Sequence, residues 1–307
     1  MLFNACHKGN SYTVDRHNGI NAAGLIYDRK GGTHKNNAKT FLMLQIENHL
    51  SPSTLEEAYE TLTSVPGSLV LGGCGYIRLG DRTISTAIDL SNLGLDFVYE
   101  TKSEVEIGAM TTLRTIETDA LCQSLWHGLL PRSVENIVGV QLRNCVTIGG
   151  TVAGRYPFSD PLTALLALDA RLQFYHYGAI SLEEFFTGQG LKDILVKIII
   201  PKRGQIGAFQ SVRRAKTDYA VLNAAVTKTG DDYRIVVGAR PGRAVLVPGA
   251  SDYLSSNGLN ETTAREAGNI AAANLQFGDN PRGSGEYRKA ICPVLVARAL
   301  MEVHHAA

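Results

Sequence analysis

Beyond Met43 the apolar positions of this chain come in short, regular groups, and each group predicts an element. Met43–Glu47 alternates apolar and polar side chains as a strand does. Ser53-Thr54-Leu55-Glu56 reads as a capping box, with Glu56 satisfying an open backbone N–H, and it opens a helix that runs to about Thr63. Ser68–Leu71 is a short apolar strand that passes directly into Gly72-Gly73-Cys74-Gly75. Ile84–Leu90 and Val105–Ala109 predict further strands. Thr111–Ala120 predicts a helix capped by Thr111 or Thr112, and helical stretches follow near Leu121–Leu130 and Ser133–Gly139. Asn144–Ile148 predicts another strand, ending in Gly149-Gly150. Pro161 then opens a helix rich in leucine, at Leu162, Leu165, Leu166 and Leu168. Arg171–His176 and Ile194–Ile200 complete this half as strands, and Pro201 marks a boundary. Gly207–Arg214, Ala220–Thr227, Asp232–Gly238 and Ala244–Val247 predict a small, mostly antiparallel sheet. Two helices end the chain, Glu261–Asn274 and Gly285–Val303, the second interrupted at Pro293.

Residues 1–42 have no such period. They carry Asn4, Asn10, Asn18, Asn21, Asn36 and Asn37 and an excess of basic over acidic side chains. Too little apolar surface is present there to offset the entropy of ordering, so a disordered extension is predicted. The change of character at Met43 suggests that translation starts there.

Composition narrows the function class. The 307 residues suffice for two or three small domains, and 44% hydrophobic with 19% charged residues is ordinary for a chain that buries a core. A formal net charge of +1 gives no field for nucleic acid. With no long unbroken apolar run, no membrane span is expected, and Met1–Asn10 lacks the apolar stretch of a secretory signal. The cysteines are Cys6, Cys74, Cys122, Cys145 and Cys292. None forms a C-x-x-C pair or has a histidine at ligand spacing, so neither a zinc site nor an iron–sulfur cluster is expected in this chain. Their odd number and wide spacing fit a reducing cytoplasm. His304-His305 reads as a frayed tail.

The chemistry sits in the glycines. A strand that ends in two glycines exposes consecutive backbone N–H groups, and without Cβ atoms a pyrophosphate approaches them closely. Two such turns, Leu71–Gly75 and Thr147–Thr151, each follow an apolar run. Neither matches G-x-G-x-x-G, and no G-x-x-x-x-G-K-[ST] occurs, which disfavours Rossmann and P-loop sites. On pattern alone, phosphate binding and plain tight turns stand level.

Longer motifs add a resemblance. Val146-Thr147-Ile148-Gly149-Gly150-Thr151-Val152-Ala153 with Pro157-Phe158-Ser159-Asp160 resembles the FAD subunit of molybdenum hydroxylases, the medium flavoprotein chain of xanthine dehydrogenase and carbon monoxide dehydrogenase. That family reads T-I-G-G-N, a short variable stretch, P-x-S-D and a leucine-rich helix ending A-L-D-A, here Ala167-Leu168-Asp169-Ala170. Leu71–Gly75 is similar to its first loop, A-G-G-T-D, and Ile107–Leu113 to its I-G-A-x-T-x-L element. Arg282-Gly283-Ser284-Gly285-Glu286-Tyr287-Arg288 and Val294-Leu295-Val296 resemble its C-terminal helix. The motifs run in order from Met43 to about Met301.

The resemblance implies an α+β protein: a vanillyl-alcohol-oxidase-type (PCMH) FAD-binding domain of two α/β subdomains over 43–203, then a C-terminal sheet-and-helix domain over 204–307. FAD would lie with its diphosphate on both glycine loops. Leu69, Val70, Leu71, Gly72, Gly73, Cys74, Gly75 and Tyr76 would meet its ADP and pyrophosphate part. Thr147, Gly149, Gly150, Thr151 and Ala153 would line the diphosphate and flavin. Beside Ser159, Asp160 would accept hydrogen bonds from ribityl or ribose hydroxyls, unless it is simply a helix N-cap. Leu195, with Ile194, would sit under an apolar part of the cofactor, unless both are plain buried strand. Thr151 stands where the family has Asn, Cys74-Gly75 where Thr-Asp is common, and Gln210 where a Lys often approaches the flavin. Arg213, Arg214 and Asp218 keep the following charged pattern, so an Arg–Asp pair there is either structural or faces the flavin.

The implied role is electron transfer within an assembly. An iron–sulfur (2Fe-2S) subunit would pass electrons from a molybdopterin subunit, which oxidises a purine or related N-heterocycle, to FAD and on to NAD⁺. Two rival readings are a stand-alone flavin reductase of the same fold and an FAD-free structural or assembly subunit. The first requires a proton donor aimed at substrate, and no residue near either loop suggests one.

Overall fold

The computed structural model describes residues 44–188 and 190–306. The disordered extension expected over residues 1–42 lies outside the described residues.

The first glycine turn is carried by a small parallel sheet. β1 (Gln45–Leu50), α1 (Leu55–Ser64), β2 (Leu69–Leu71) and β3 (Thr83–Asp89) follow in sequence, and the strand order is β1-β3-β2. β3 thus sits centrally, with Ile46 opposite Ile84 and Val70 opposite Ile88. α1 covers one face through Ala58 and Leu62, which pack with Ile88 and Leu90. Its cap differs by one residue from the expectation. Thr54 Oγ1 accepts from Glu57 N–H at 3.1 Å, and Glu57, not Glu56, reaches back to Ser53 N–H at 2.7 Å. The third helical position is the one that faces the cap, and it holds Glu57.

A second sheet is antiparallel and ordered β4-β5-β8-β6-β7, from β4 (Val98–Glu100), β5 (Glu104–Gly108), β6 (Arg171–Phe174), β7 (Gly178–Ser181) and β8 (Leu195–Pro201). Between β5 and β6 run α2 (Leu113–Thr118), α3 (Ala120–Ser124), α4 (Leu129–Val134), α5 (Val140–Arg143), α6 (Ile148–Gly154) and α7 (Asp160–Ala167). α8 (Leu182–Thr187) joins β7 to β8. Ile107, Leu113, Ile148, Leu165 and Ile198 share one fully enclosed core. The strand predicted over Asn144–Ile148 is not formed. Thr147 makes a single bridge to Thr112, then caps α6 by accepting Gly150 N–H at 3.1 Å on Oγ1. Five residues give too short a period to separate strand from helix, and the threonine's capping oxygen decides it.

The C-terminal part is a four-stranded antiparallel sheet ordered β12-β11-β10-β9. Its strands are β9 (Ile206–Arg213), β10 (Ala220–Thr229), β11 (Asp232–Gly238) and β12 (Val245–Leu246). α9 (Pro248–Asn257), α10 (Glu261–Asn274) and α11 (Gly285–Ala306) pack on it. Pro293 lies inside α11 without interrupting it. Gly268 of α10 meets the helix there so closely that a Cβ would fall 2.5 Å from Pro293 O. Packing against α10 thus holds α11 together across its missing hydrogen bond. Arg288 of α11 is wholly buried and donates to Val221 O at 2.8 Å, Gly278 O at 2.7 Å, Asn280 Oδ1 at 2.6 Å and also to Gly283 O.

Among the described residues no helix is long and apolar enough to cross a membrane, and no group of three or more His, Cys, Asp or Glu side chains is placed to hold a metal.

Candidate cofactor site

The two glycine turns, far apart in sequence, are pressed against each other. A Cβ on Gly72 would lie 2.8 Å from Thr147 Oγ1 and 3.0 Å from Gly150 Cα, and one on Gly150 would lie 2.6 Å from Gly72 O. Gly73 has φ of +60°, and a Cβ there would fall 2.0 Å from Cys145 O. Only glycine permits both the backbone angle and the approach. Gly149 packs the other way, onto the end of β5, where its amide donates to Ala109 O at 2.8 Å.

Above this junction opens a cavity of about 510 Å³. Leu69, Val70, Gly72, Cys74, Gly75 and Tyr76 contribute to its wall from the first turn, and Gly150, Thr151, Ala153, Ser159 and Asp160 from the second. Leu71, Gly73, Thr147 and Gly149 do not line it; they fix the turns from behind. Leu195 is buried in β8 within the main core, apart from the cavity wall. The cavity also takes Arg213, from the charged pattern read as either structural or facing the flavin, and aromatic residues to which no role had been given, Tyr156, Phe158 and Tyr219. Tyr76 stacks on Phe158 with ring centroids 4.9 Å apart, Tyr156 lies 4.6 Å from Tyr76, and Tyr219 meets Phe158 edge-on at 4.7 Å. The aromatic pair flanking Pro157 was the available signal for this cluster.

Over residues 44–203 the chain matches the family described as "FAD binding domain in molybdopterin dehydrogenase", more than half its length, and over 207–303 the "CO dehydrogenase flavoprotein C-terminal domain". The chain belongs to this family of FAD-binding oxidoreductase subunits. The nicotine 6-hydroxylase medium subunit of Paenarthrobacter nicotinovorans is 28% identical over 273 residues, 83% of this chain and 96% of that one. The carbon monoxide dehydrogenase medium chain of Hydrogenophaga pseudoflava is 26% identical over 221 residues, 66% of this chain and 76% of that one. In fold, the chain is similar to quinoline 2-oxidoreductase from Pseudomonas putida 86, with a TM-score of 0.78 at 23% identity, covering 86% of this chain and 99% of that one.

Asp160 and Arg213 in the cavity wall belong to a buried polar knot. Asp160 Oδ2 accepts from Arg213 Nη2 at 2.6 Å, and Oδ1 accepts from Asn223 Nδ2 at 2.6 Å. Thr163 Oγ1 donates to Asn223 Oδ1 at 2.9 Å. Asp160 is therefore no N-cap: Ser159 holds that position, and Asp160 is the first residue of α7. Burial pushes the Asp160 carboxyl up, against the opposing pull of Arg213 and Asn223. The Arg–Asp pair foreseen among Arg213, Arg214 and Asp218 is split. Arg213 pairs with Asp160 and reaches only the backbone oxygen of Asp218, at 2.7 Å, while the Asp218 carboxylate takes Arg282 at 3.2 Å. Gln210 points away from the cavity and donates to Glu302 Oε2 at 2.7 Å. It is three residues from Arg213 on β9, so the alternation of strand side chains sends the two to opposite faces.

Burial, with Asp89 nearby, pushes the Cys74 thiol up, which suits a lining residue and not a nucleophile. Burial, with Tyr219 beside it, likewise pushes up the Tyr76 hydroxyl.

The site's residues suit FAD. Its diphosphate needs backbone that no Cβ shields, which Gly72, Gly75 and Gly150 offer in the cavity wall, although the Gly150 amide itself is held by Thr147 Oγ1. Its two ring systems need flat apolar surface, which the aromatic cluster offers. Its hydroxyls and oxygens need polar partners, and Ser159 Oγ and Arg213 Nε are buried there with none among the described residues.

Proposed function

We propose that this chain is the flavin station of a xanthine dehydrogenase-like molybdenum hydroxylase, working in the cytoplasm beside an iron–sulfur (2Fe-2S) subunit and a molybdopterin subunit, with NAD⁺ as the electron acceptor. The observation that carries the reading is the single cavity built jointly by two glycine turns and the C-terminal part, in a chain of the FAD-binding family. Bound FAD supplies the means to take electrons singly from an iron–sulfur centre and release a pair as hydride. The chain's own work is to bind and orient. Residues 43–203 form the FAD-binding region and residues 204–307 the cover that completes the cavity. Leu69–Tyr76 and Thr147–Ala153 receive the diphosphate, with Ser159 and Asp160 at the polar end. Leu195 supports the wall from the core behind it.

Purified with its partners, the complex is expected to show flavin absorbance, to contain iron and molybdenum, and to form NADH when given an N-heterocyclic substrate. Absence of flavin uptake by the purified chain favours the structural-subunit reading. Flavin-dependent turnover by the chain alone favours the stand-alone reductase. A full complex that reduces only another acceptor removes NAD⁺ from the proposal.

A further inference from the structure

The polar knot leaves two donors over. Arg213 is fixed by both terminal nitrogens: Nη1 donates to Asp218 O at 2.7 Å and Nη2 to Asp160 Oδ2 at 2.6 Å. Its side chain is 8% exposed and its charge is balanced by Asp160, yet Nε–H has no partner among the described residues. The Ser159 hydroxyl, one residue from Asp160, is buried and unpaired in the same way. Folded proteins rarely leave such groups unsatisfied, and both residues form part of the cavity wall. The rings of Phe158 and Tyr219, chain neighbours of Ser159 and Asp218, meet edge-on and also line the cavity.

We propose that Arg213 and Ser159 are cofactor ligands of this chain, donating Nε–H and O–H to an oxygen of bound FAD once the Phe158–Tyr219 pair parts. A neutralised guanidinium whose Nε–H has no partner suits an acceptor oxygen, as the ribityl chain, the flavin carbonyls and the diphosphate all carry. Asp160, whose two oxygens are already engaged by Arg213 and Asn223, is then a positioning residue: it holds the guanidinium in place. The inference rests on the FAD reading above.

The test uses the full chain stripped of flavin, with Ser159→Ala and Arg213→Lys. Melting temperature without ligand is measured beside affinity for FAD, riboflavin and ADP. Ser159→Ala breaks no hydrogen bond in the flavin-free chain, so its melting temperature is expected to stay level or rise while FAD binding weakens about tenfold. Arg213→Lys keeps a cation for Asp160 but loses the Nε–H, and is expected to weaken FAD binding about ten- to a hundredfold. Loss shared by riboflavin places the oxygen in the flavin–ribityl half; loss shared only by ADP places it in the phosphate half; either supports the proposal. Unchanged FAD affinity in Ser159→Ala overturns it, and this variant decides the matter if Arg213→Lys does not fold. So does a Ser159→Ala chain that is clearly destabilised without flavin, because the hydroxyl would then have a structural partner. If the unaltered chain takes up no FAD, the functional reading itself falls and this one with it, a result distinct from any failure of the variants.

Discussion

Gly150→Ala sets two opposing effects against each other at the meeting of the glycine turns. Gly150 lies inside α6, where alanine is favoured over glycine by about 1 kcal/mol. The added methyl, however, would lie 2.6 Å from Gly72 O, a backbone atom that cannot swing aside as a side chain does. Ordinary contact begins at 3.4 Å, so the turns must part by the difference, 3.4 − 2.6 = 0.8 Å. Overpacking of this kind costs about 1–3 kcal/mol, which leaves a net loss of up to about 2 kcal/mol. For a chain of this size that is a fall in melting temperature of up to about 8 °C. Cofactor binding should suffer more than stability, because both turns must present their amides to one diphosphate. Losing one or two charge-assisted hydrogen bonds weakens FAD about ten- to a hundredfold or more. Differential scanning fluorimetry of the flavin-free chain and a flavin-fluorescence titration measure the two effects separately. Gly249→Ala is the control: it also sits in a helix, and its nearest neighbour would be Ile270 Cγ2 at 3.8 Å, so it should leave FAD affinity alone. A Gly150→Ala chain that binds FAD as tightly as the unaltered one would refute the reasoning that close approach of the turns builds the site.

Glu117→Gln tests the support behind the second turn. Arg143 binds Glu117 through two nitrogens, at 2.7 and 3.0 Å, and also donates to Ile137 O at 3.0 Å, so the substitution should cost about 3 kcal/mol in chemical denaturation. Burial alone would push the Glu117 carboxyl up, but Arg143 and Arg114 outweigh it and hold it below the usual range. A lowered carboxyl contributes stability above its unfolded value, about 4.3, and loses it as pH falls through the folded value. The stability gap between Glu117→Gln and the unaltered chain should therefore close in acid; a gap that persists there contradicts the pairing. Arg288→Met would orphan carbonyls that the buried guanidinium now satisfies, with an expected loss of at least about 4 kcal/mol and a smaller one for Arg288→Lys. Equal stabilities for the two variants would show that the hydrogen bonds do not matter. Burial pushes the Cys122 and Cys292 thiols up to about 12, so alkylation mapped by mass spectrometry should spare both until unfolding. Cys74 lines the cavity and should be labelled more slowly with FAD present; labelling indifferent to FAD removes it from the cofactor's wall.

Elements were legible where one physical signal dominated. β11 and α10 have the limits the sequence predicts, Asp232–Gly238 and Glu261–Asn274, and in the structure Asn260 caps α10 by accepting from the Thr262 and Thr263 amides. Short elements at the margins, β4, β7 and α8, carried too few residues for a period to show, and α9 (Pro248–Asn257) too few apolar ones. Pro293 misled because a local rule ignores what Gly268 allows from the neighbouring helix. The glycine turns were readable as a chemistry, but their mutual contact was not. Nor was the Asp160–Arg213 pair, whose members stand 53 residues apart. A sequence shows which residues are unusual; which of them meet is decided by sheet order and strand alternation.

That same pair bears on how chains of this kind recombine. The acid belongs to the segment matched over 44–203 and the base to the segment matched over 207–303. A hybrid spliced in the short stretch between them inherits one member from each parent. If the second parent lacks a base at 213, the hybrid carries an unmatched buried carboxylate in the wall of its cofactor cavity, and each half is sound while the whole is not. Modules that look interchangeable by their boundaries are therefore tied to each other through buried partners, this ion pair and the Thr163–Asn223 bond among them.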